Sequence, residues 1–491
     1  MSAECQNAEN ARVGGRYDWS RLLSTARIEL APRDRKIHLP LTDHRTAHER
    51  DFDRVVFCTP VRRMKDKTQV FPLDMHDGVR TRLTHSMEVS NLARSMGIAV
   101  CVKCESIRKI QDAERNVPAL LGAIALVHDL GNPPFGHQGE IAIRTWIADN
   151  QEDIKNVAGY EFKEDLLRDF LLFEGNAQGF RVLTRLQHQD HKGGLRLTAS
   201  TLRAFMKYPW TSAFIHEDSN IKKFGVFKSE QAIFEWSCRE TGLAEHVRHP
   251  ISYLMEVCDD IAYSVLDIED AVKKEIISAA DVIEFLHSCG DDKRLFELLQ
   301  QYAADEQWLR SLTMPKAIGD GAEPISSKEY RDSLIELFRS YLIGVLVSDA
   351  IDRFLELEEL CGFTALEKGI AEDFRSSSVV SALKKFAGLR IYRHRDVLKA
   401  ELSGHRVIPR LMDAMWRAVV AERRGAQTKL DEYVMSMMSP NYVRVYRQSE
   451  DLGLPIWYRQ IQLVSDQVCG MSDSHALRVH DELEELGCLH D

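Results

Sequence analysis

One segment, "VPALLGAIALVHDL" at 117–130, restricts the fold of this chain more than any other part of the sequence. Its residues are apolar on every side, which is typical of a helix that is buried all round rather than of an amphipathic surface helix. Pro118 suits the first turn of that helix, and the Gly-Asn-Pro-Pro that follows is a helix stop. We therefore predict a core helix with other elements packed around it, and with His128 and Asp129 in its last turn.

Helical periodicity recurs along the chain, whereas strand-like alternation is scarce, so we predict an all-α protein. The periodic segments are 83–96, 117–130, 165–173, 251–271, 329–346 and 350–360. Loop-like breaks fall near 147–160, 190–195, 209–222 and 313–327. We divide the chain into an N-terminal extension, a helical core and a helical C-terminal region, at 1–44, 45–275 and 276–491.

Composition excludes several classes of protein. The 491 residues are 44% hydrophobic and 28% charged, as in ordinary globular proteins. The sequence has no apolar run of the ~18–20 residues that span a bilayer. Its polar N-terminus lacks the apolar stretch of a signal peptide. We therefore expect a cytoplasmic protein that does not interact with membranes.

Cysteines and charge limit the chemistry further. Ten cysteines scattered over so long a chain do not form a disulfide framework. Cys101 and Cys104 form a lone CxxC, which we interpret as two reduced thiols, with a zinc or redox site as the alternative. The net charge of −11 argues against a globally steered binder of polyanions. An anionic substrate would therefore need a local basic pocket.

Ionisable residues stand against apolar helices at several places. At the end of the core helix, Asp129 is costly to bury unless it is paired or bound to a cation. The structural alternative is a satisfied core His128 beside an aspartate bonded to loop amides. In "VRTRLTHSMEVSNLARSMG", His85 lies beside a helical apolar stripe, one turn after Arg82. Thr81 or Thr84 could cap that helix, and a structural role for His85 is again the alternative.

A third apolar helix carries a polar stripe. In "YLMEVCDDIAYSVLDIEDAV", Asp259, Tyr263 and Asp267 are spaced at i, i+4 and i+8 and so point the same way. A solvated face would carry a mixture of Lys and Glu, so this stripe is more typical of the wall of a site. Asp260, one position round, is the competing candidate for a ligand.

The loop after the core helix offers an acid–base pair. If a helix resumes at "HQGEIAIRTWI", His137 and Glu140 are i, i+3 neighbours on one face. A histidine held and polarised by a carboxylate is an arrangement for general acid–base catalysis.

Four residues from three helices form a mixed set of nitrogen and oxygen donors: His85, His128, Asp129 and Asp259. Such a set suits Mn²⁺, Mg²⁺, Fe²⁺, Co²⁺ or Ni²⁺ and leaves positions for water and substrate oxygens. A metal ion there would polarise a phosphoryl oxygen and acidify a water molecule. A bound cation also explains why ionisable residues stand in apolar helices.

The order H…HD…D resembles the signature of the HD-domain metal-dependent phosphohydrolases. Longer stretches resemble one branch, the bacterial deoxyguanosinetriphosphate triphosphohydrolases, over about 45–275, which would then be an HD-domain catalytic core. They are "RRMKDKTQVFPL", "VRTRLTHSMEVSN", "HDLGNPPFGHQGE", "FEGNAQGFRVLTRL", "LRLTASTLRAFMKYPW" and "KKFGVFKSE". Towards the end, "SDQVCGMSD" is similar to the family's "DYIAGMTD", with Gln467 in the place of its tyrosine.

The resemblance implies metal-dependent hydrolysis of dGTP, or of other dNTPs, to the deoxynucleoside and inorganic triphosphate, which would control dNTP pools. It places the metal ligands at His85, His128, Asp129 and Asp259, and the catalytic pair at His137 and Glu140. Asp259 is preferred over Asp260 because the family's ligand is followed four residues later by a tyrosine. The substrate-binding residues that it implies are Gln69 (deoxyribose), Arg82 (phosphate), Asn176, Lys207 and Lys223 (phosphate clamps), Tyr263 and Asp267.

Other functions remain open at this stage. One alternative is an HD phosphohydrolase for another nucleotide, such as a nucleotidase or a hydrolase of cyclic nucleotides or guanosine tetraphosphate. A regulatory protein that binds nucleotides or single-stranded DNA is another, through "RVYRQ" or "LRIYRHRDV", which we otherwise interpret as solvated basic faces. The resemblance also implies a homo-oligomer, by analogy a hexamer.

Overall fold

A computed structural model describes residues 12–13, 16–28, 43–71, 79–187, 194–216, 221–289, 327–365 and 369–487, together with Glu297 and Gln300. These residues confirm the all-α class. The only strands among them form a short antiparallel ribbon, β1 (Arg12–Val13) with β2 (Arg16–Tyr17). None of the described helices is long and apolar enough to cross a membrane.

The helices of the first part of the chain are α1 (Trp19–Leu22), α2 (Ala47–Val56), α3 (Thr59–Arg63), α4 (Arg82–Lys103), α5 (Glu105–Arg108), α6 (Ala113–Val127), α7 (Gly136–Asp149), α8 (Gln151–Ala158), α9 (Glu164–Leu171), α10 (Gly175–Thr184), α11 (Ala199–Phe205), α12 (Gln231–Thr241), α13 (Pro250–Lys273) and α14 (Ala279–Ser288). Those of the later part are α15 (Ser327–Glu359), α16 (Ser377–Arg390), α17 (Arg395–Arg424), α18 (Lys429–Met437), α19 (Pro440–Gln448), α20 (Ile456–Cys469) and α21 (Asp473–Glu485).

Helix α6 is the buried core helix that the sequence predicts. It packs against α2, α4, α11 and α13, and nearly all of its residues from Val117 onward are buried. Helix α4 approaches it closely where Gly97 lies on Pro118, since a Cβ atom at Gly97 would stand only 3.0 Å from the Pro118 Cα. This close approach brings the start of α4 near the end of α6.

Two details of α6 differ from the prediction. The helix begins at Ala113, so Pro118 lies inside it rather than in its first turn. The polar residues of the true first turn face outward, where Arg115 pairs with Glu49, and therefore do not show the apolar pattern. The helix ends at Val127, which puts His128 at the C-cap and Asp129 in the turn that follows.

The other helix predictions are largely confirmed. Segments 83–96 and 251–271 lie in α4 and α13, and 165–173 extends two residues beyond the end of α9. Segments 329–346 and 350–360 belong to one helix, α15, which ends at Glu359. The predicted break at 147–160 is wrong, because α8 occupies most of it. Helix α8 buries only Ile154 and Ala158, so its sequence is nearly as polar as a loop. The break at 313–327 lies almost wholly outside the described residues, as do parts of 190–195 and 209–222.

The C-terminal helices pack onto the first part of the chain rather than apart from it. Helix α17 packs on α7, and α15 packs along α13. A buried ion pair joins Arg181 of α10 to Asp466 of α20 at 2.7 Å. The division at 1–44, 45–275 and 276–491 stays a prediction.

Candidate metal centre and active site

Three helices bring two imidazoles and a carboxylate to one point. His85 lies in the first turn of α4, which Thr81 and Thr84 cap reciprocally as the sequence suggested. The Oδ1 atom of Asp259, in the middle of α13, lies 3.1 Å from His85 Nε2 and 3.3 Å from His128 Nε2. The three residues each offer a ligand atom, and these atoms all lie within 4.8 Å of one another.

The donors of this group fit a divalent cation. His128 Nδ1 donates to the Ala125 carbonyl at 2.7 Å, which leaves Nε2 as the free lone pair. That Nε2 atom is buried, and none of the described residues forms a hydrogen bond with it. Burial would lower the pKa of His128, but Asp259 and Asp129 outweigh it and raise the pKa to about 9. The point between these residues therefore favours positive charge, which a metal ion would supply in place of a proton.

The neighbouring aspartates have different partners. Asp129 lies beside the group, with Oδ2 3.6 Å from His128 Nε2, and it also accepts hydrogen bonds from Arg82 and, at 2.9 Å, from Asn132. Burial would raise the pKa of Asp129, but Arg82 and His128 together outweigh burial and lower the pKa. Asp260 instead pairs with Lys384 at 2.6 Å, away from the imidazoles. Of the two adjacent aspartates of α13, the structure therefore places Asp259 at the centre.

The predicted acid–base pair forms at the start of α7. Phe135 and Gly136 both have positive φ angles, +61° and +60°, and this turn begins the helix. His137 Nδ1 lies 2.9 Å from Glu140 Oε2, and Glu140 Oε1 accepts from the Gly175 amide at 2.7 Å. The side chain of His137 is 64% exposed, whereas that of Glu140 is 7% exposed. A buried carboxylate thus orients an accessible imidazole.

His128 and Asp259 of the metal group line the same cavity as the acid–base pair, with a volume of about 360 Å³. Its lining residues are His128, Asp129, Asn132, His137, Glu140, Glu174, Asn176, Lys207, Tyr208, Lys223, Met255, Glu256 and Asp259. Most of the residues that the sequence singled out are therefore brought together.

Two lysines reach this cavity, each paired with a buried acid. Lys207 Nζ lies 2.9 Å from Glu256 Oε1, and Lys223 Nζ lies 3.4 Å from Glu174 Oε1. Glu174 Oε1 also accepts from Asn176 at 2.9 Å. Burial would lower the pKa of both lysines, but Glu256 and Glu174 outweigh it, so both pKa values are raised. The lysines are thus held charged in front of the metal group.

Sequence analysis did not single out three residues of this cavity, namely Glu174, Tyr208 and Glu256. Glu174 and Tyr208 stand in the quoted stretches "FEGNAQGFRVLTRL" and "LRLTASTLRAFMKYPW", and Glu256 lies three residues before Asp259 on the same helix. These positions could have identified them. Burial and then Glu140 raise the pKa of Glu174, because two carboxylates share this wall.

The remaining predicted residues do not line this cavity. Gln69 has a buried Oε1 atom that forms no hydrogen bond with the described residues. Tyr263 stacks on Tyr392 with ring centroids 5.7 Å apart. The Tyr392 hydroxyl donates to Asp267 at 2.7 Å, and burial raises the pKa of that aspartate well above its usual value. His85 contacts Asp259, and Arg82 pairs with Asp129.

Comparison with known proteins identifies two family models. One, described as the HD domain, matches residues 82–201, and the other, described as the phosphohydrolase-associated domain, matches residues 375–482. The first includes both imidazoles of the metal group and the acid–base pair. The second covers α16 to α20 and most of α21.

Curated relatives align along nearly the whole chain. A deoxyguanosinetriphosphate triphosphohydrolase-like protein of Listeria innocua serovar 6a is 32% identical, over 91% of this chain and 95% of its own length. One of Synechocystis is 32% identical, over 96% and 99%. A deoxyguanosinetriphosphate triphosphohydrolase of Salmonella paratyphi A is 29% identical, over 87% and 91%. The similarity therefore extends well beyond residue 275, where the sequence motifs had weakened.

Proposed function

The chain belongs to the HD-domain deoxyguanosinetriphosphate triphosphohydrolase family, and from that membership we propose that it hydrolyses a deoxynucleoside triphosphate, with dGTP as the first candidate. The products would be the deoxynucleoside and inorganic triphosphate. Such an activity in the cytoplasm would control dNTP pools.

The observation that carries this proposal is the single cavity. It joins metal-ligand donors, an oriented histidine and two charged lysines within one volume. Phosphoryl transfer needs these three components, namely charge stabilisation at phosphorus, proton transfer and a clamp for the anionic chain. The lysines also supply the local basic pocket that an acidic protein needs for an anionic substrate.

His85, His128, Asp129 and Asp259 would hold the metal, and Mn²⁺ or Mg²⁺ suits their nitrogen and oxygen donors. When bound, the ion supplies Lewis-acid stabilisation of charge at an α-phosphate oxygen. Arg82 holds Asp129 in place through its guanidinium and, in the family, also contacts phosphate. Asp129 would therefore be both a ligand and the link between Arg82 and the centre.

His137 would move the proton. With Nδ1 turned towards Glu140, its Nε2 atom is available to the reacting oxygens at the exposed end of the ring. In attack at the α-phosphorus, that nitrogen takes a proton from the incoming water or gives one to the departing 5′-oxygen. Glu140 orients the ring.

The substrate would displace the ion pairs that now hold the lysines. A triphosphate offers Lys207 and Lys223 more negative charge than the single carboxylates of Glu256 and Glu174. Asn176, bonded to Glu174, would contribute an amide donor to the same chain. Both lysines would stay charged with and without substrate. In the free protein each pairs with a carboxylate, and in the complex the triphosphate would take the place of that carboxylate.

Selection of deoxyribose would involve Gln69, and Tyr263 and Asp267 would be further substrate contacts. The buried Oε1 of Gln69, which forms no hydrogen bond with the described residues, would accept from the sugar 3′-OH. A ribose 2′-OH packed there would be crowded and left without a partner, which costs roughly 1–3 kcal/mol. Ribonucleotides should then be poorer substrates by about tenfold or more.

Turnover of the four dNTPs and of GTP by the metal-loaded protein tests the proposal, with triphosphate, pyrophosphate and phosphate resolved as products. We expect triphosphate from dGTP and at least about tenfold lower kcat/KM for GTP. His137→Ala should lose on the order of 10²–10⁴ in kcat while still binding metal. His287→Ala, an exposed histidine on α14, is the matched control and should behave as wild type.

Other product patterns identify the alternatives. Release of pyrophosphate or phosphate would mean a different HD phosphohydrolase, such as a nucleotidase, and equal turnover of GTP and dGTP would exclude deoxynucleotide selection. Nucleotide binding without turnover would indicate a regulatory protein. Family resemblance also leads us to propose a homo-oligomer, by analogy a hexamer, and single-stranded DNA as a further partner.

A further inference from the structure

A buried carboxylate of the C-terminal region accepts hydrogen bonds from two segments next to the active site. Asp473, the first residue of α21, is 1% exposed. It neither lines the cavity nor belongs to the metal group. Its contacts nevertheless lie on the two segments that carry Gln69 and His137.

Both oxygens of Asp473 accept hydrogen bonds, one set from each segment. Oδ2 accepts from the Thr68 amide at 2.9 Å and from the Thr68 hydroxyl. Oδ1 accepts from the Phe135 amide at 3.0 Å. Thr68 immediately precedes Gln69, and Phe135 is the N-cap of α7, two residues before His137. The Asp473 side chain therefore connects the segment that carries Gln69 to the segment that carries His137.

The turn at Phe135 needs outside support. Its φ of +61° lies in the left-handed region, which non-glycine residues seldom adopt. Gly404 of α17 makes room for the ring, since a Cβ atom there would lie 3.0 Å from the Phe135 Cβ. The C-terminal region thus holds this turn at the amide through Asp473 and at the side chain through α17.

Lys67 forms a second set of hydrogen bonds between these segments and the C-terminal region. Lys67 Nζ is buried and donates to the Asn132 carbonyl at 2.6 Å and to the Cys469 carbonyl at 2.7 Å. Burial lowers the pKa of Lys67 to about 8. Lys67 precedes Thr68 and Asn132 lies in the loop before α7, so this ammonium joins the same two segments to the end of α20.

The Thr68 peptide is also held from the side of the metal centre. Arg82 donates to the Thr68 carbonyl at 2.9 Å and, through its other terminal nitrogen, to Asp129. Asp473 holds the amide of the same residue. A continuous set of hydrogen bonds therefore runs from Asp129 through Arg82, Thr68 and Asp473 to Phe135.

We propose that Asp473 is a positioning residue that fixes the Gln69 segment and the turn before His137 relative to one another. It thereby couples selection of the sugar to proton transfer. The proposal rests on the proposed function for its kinetic consequences, but the contacts themselves predict an effect on local structure that needs no substrate.

Asp473→Asn tests the role with little change in size. An amide accepts on one atom only, so its nitrogen must face either the Thr68 or the Phe135 amide as a second donor. We expect kcat/KM for dGTP to fall by about tenfold or more, mainly in kcat, as one segment shifts. We also expect the ratio of dGTP to GTP turnover to narrow several-fold, with metal binding retained.

Hydrogen–deuterium exchange of the full chain supplies a readout that does not depend on catalysis. In Asp473→Asn, the peptides that cover 64–71 or those that cover 130–137 should exchange faster than in wild type, by about tenfold or more, because one of the two segments loses its acceptor. If wild type fails to hydrolyse dNTPs but this faster exchange appears, the proposed function is wrong and the positioning role stands. Unchanged exchange in both segments overturns the positioning role, whatever the activity.

Two variants of α21 control for a general effect. Asp481→Asn makes the same chemical change at an exposed position and should match wild type in every measurement. Val479→Ala removes buried apolar volume from the helix without touching these hydrogen bonds. If Val479→Ala narrows the dGTP to GTP ratio as much as Asp473→Asn does, simple loosening of α21 explains the effect and the proposal fails.

Discussion

Asp259 and Asp260 are chemically identical neighbours on α13, yet their carboxylates have opposite roles in the structure. Asp259 reaches the two imidazoles, and burial would raise its pKa, but His128 outweighs burial and holds the pKa well below its usual value. Asp260 pairs with Lys384, a residue of the C-terminal region. This neighbouring pair offers a test of the metal centre in which each variant is the control for the other.

Asp259→Asn should abolish stoichiometric binding of Mn²⁺, because the group loses the anionic oxygen that lies between two imidazoles. Asp260→Asn should bind one ion per chain as wild type does, since it removes only the pairing with Lys384. Metal content after dialysis and titration calorimetry with Mn²⁺ measure both. Full occupancy in Asp259→Asn, or loss of the ion in Asp260→Asn alone, would reverse the assignment.

At the scale of an element, helix α13 depends on a neutral histidine at its N-terminus. His249 Nδ1 accepts from the Ile251 amide at 3.1 Å, and Nε2 donates to the Leu22 carbonyl at 2.9 Å. Both ring nitrogens are used and only the neutral ring satisfies both contacts. Burial lowers the pKa of His249 to about 3. The helix that carries Glu256 and Asp259 is therefore sensitive to acid at its start.

The sign of this dependence follows from the depressed pKa. The neutral ring contributes its full stabilisation above the unfolded pKa of about 6.5, and that contribution is lost as the pH falls towards 3. Within this window the free energy of unfolding should fall by about 1.4 kcal/mol per pH unit from this residue alone. His249→Asn keeps a cap acceptor but does not titrate, so its slope should be shallower by that amount.

Urea unfolding at several pH values between 6.5 and 5 measures the two slopes. His287→Asn, at an exposed position of α14, should keep the wild-type slope. Parallel curves for wild type and His249→Asn would show that His249 is not neutral in the folded protein.

At the scale of the whole molecule, a buried ionic cluster joins the first part of the chain to the C-terminal helices. Arg181 of α10 pairs with Asp466 of α20 at 2.7 Å and with Glu230 at 2.8 Å, and all three side chains are nearly inaccessible. Gln178 donates to the same aspartate at 2.8 Å. The cluster joins α10 to α20, and Asp473 follows the end of α20 by four residues. The position of Asp473 therefore depends on this interface.

Arg181→Met should destabilise the whole protein, because it leaves the buried Asp466 without its cation and leaves Glu230 with only Arg185, at 3.7 Å. We expect a loss of about 3–5 kcal/mol in the free energy of unfolding. Lys429→Met, which breaks the exposed pair with Glu432, should change stability little. Denaturation followed by circular dichroism and by tryptophan fluorescence should give one coincident transition in all three proteins. A separate early transition of the C-terminal helices would show that the two parts fold independently.

Local pattern was enough to predict α4, α6, α9, α13 and α15 and the residues with reactive chemistry. Periodicity of 3.6 identifies which residues share a helix face, and the quoted motifs identified the imidazoles, the carboxylates and the lysines. Prediction from periodicity failed for α8, which has a weak apolar face, and for the start of α6, where the first turn is polar. In both cases the side chains that define the helix face solvent and resemble those of a loop.

The sequence by itself determined an all-α chain, because helical periodicity follows from residue type and short-range spacing. It also indicated most of the side chains that line the cavity, although Asn176, Lys207 and Lys223 were indicated only by resemblance to the family. Only the tertiary structure decided which of two adjacent aspartates faces the imidazoles and which acids hold Lys207 and Lys223. It also decided that Asp473, more than 330 residues after Phe135, contacts the turn before His137. These partners are set by the packing of distant helices, and hydrogen bonds act over about 3 Å regardless of separation along the chain.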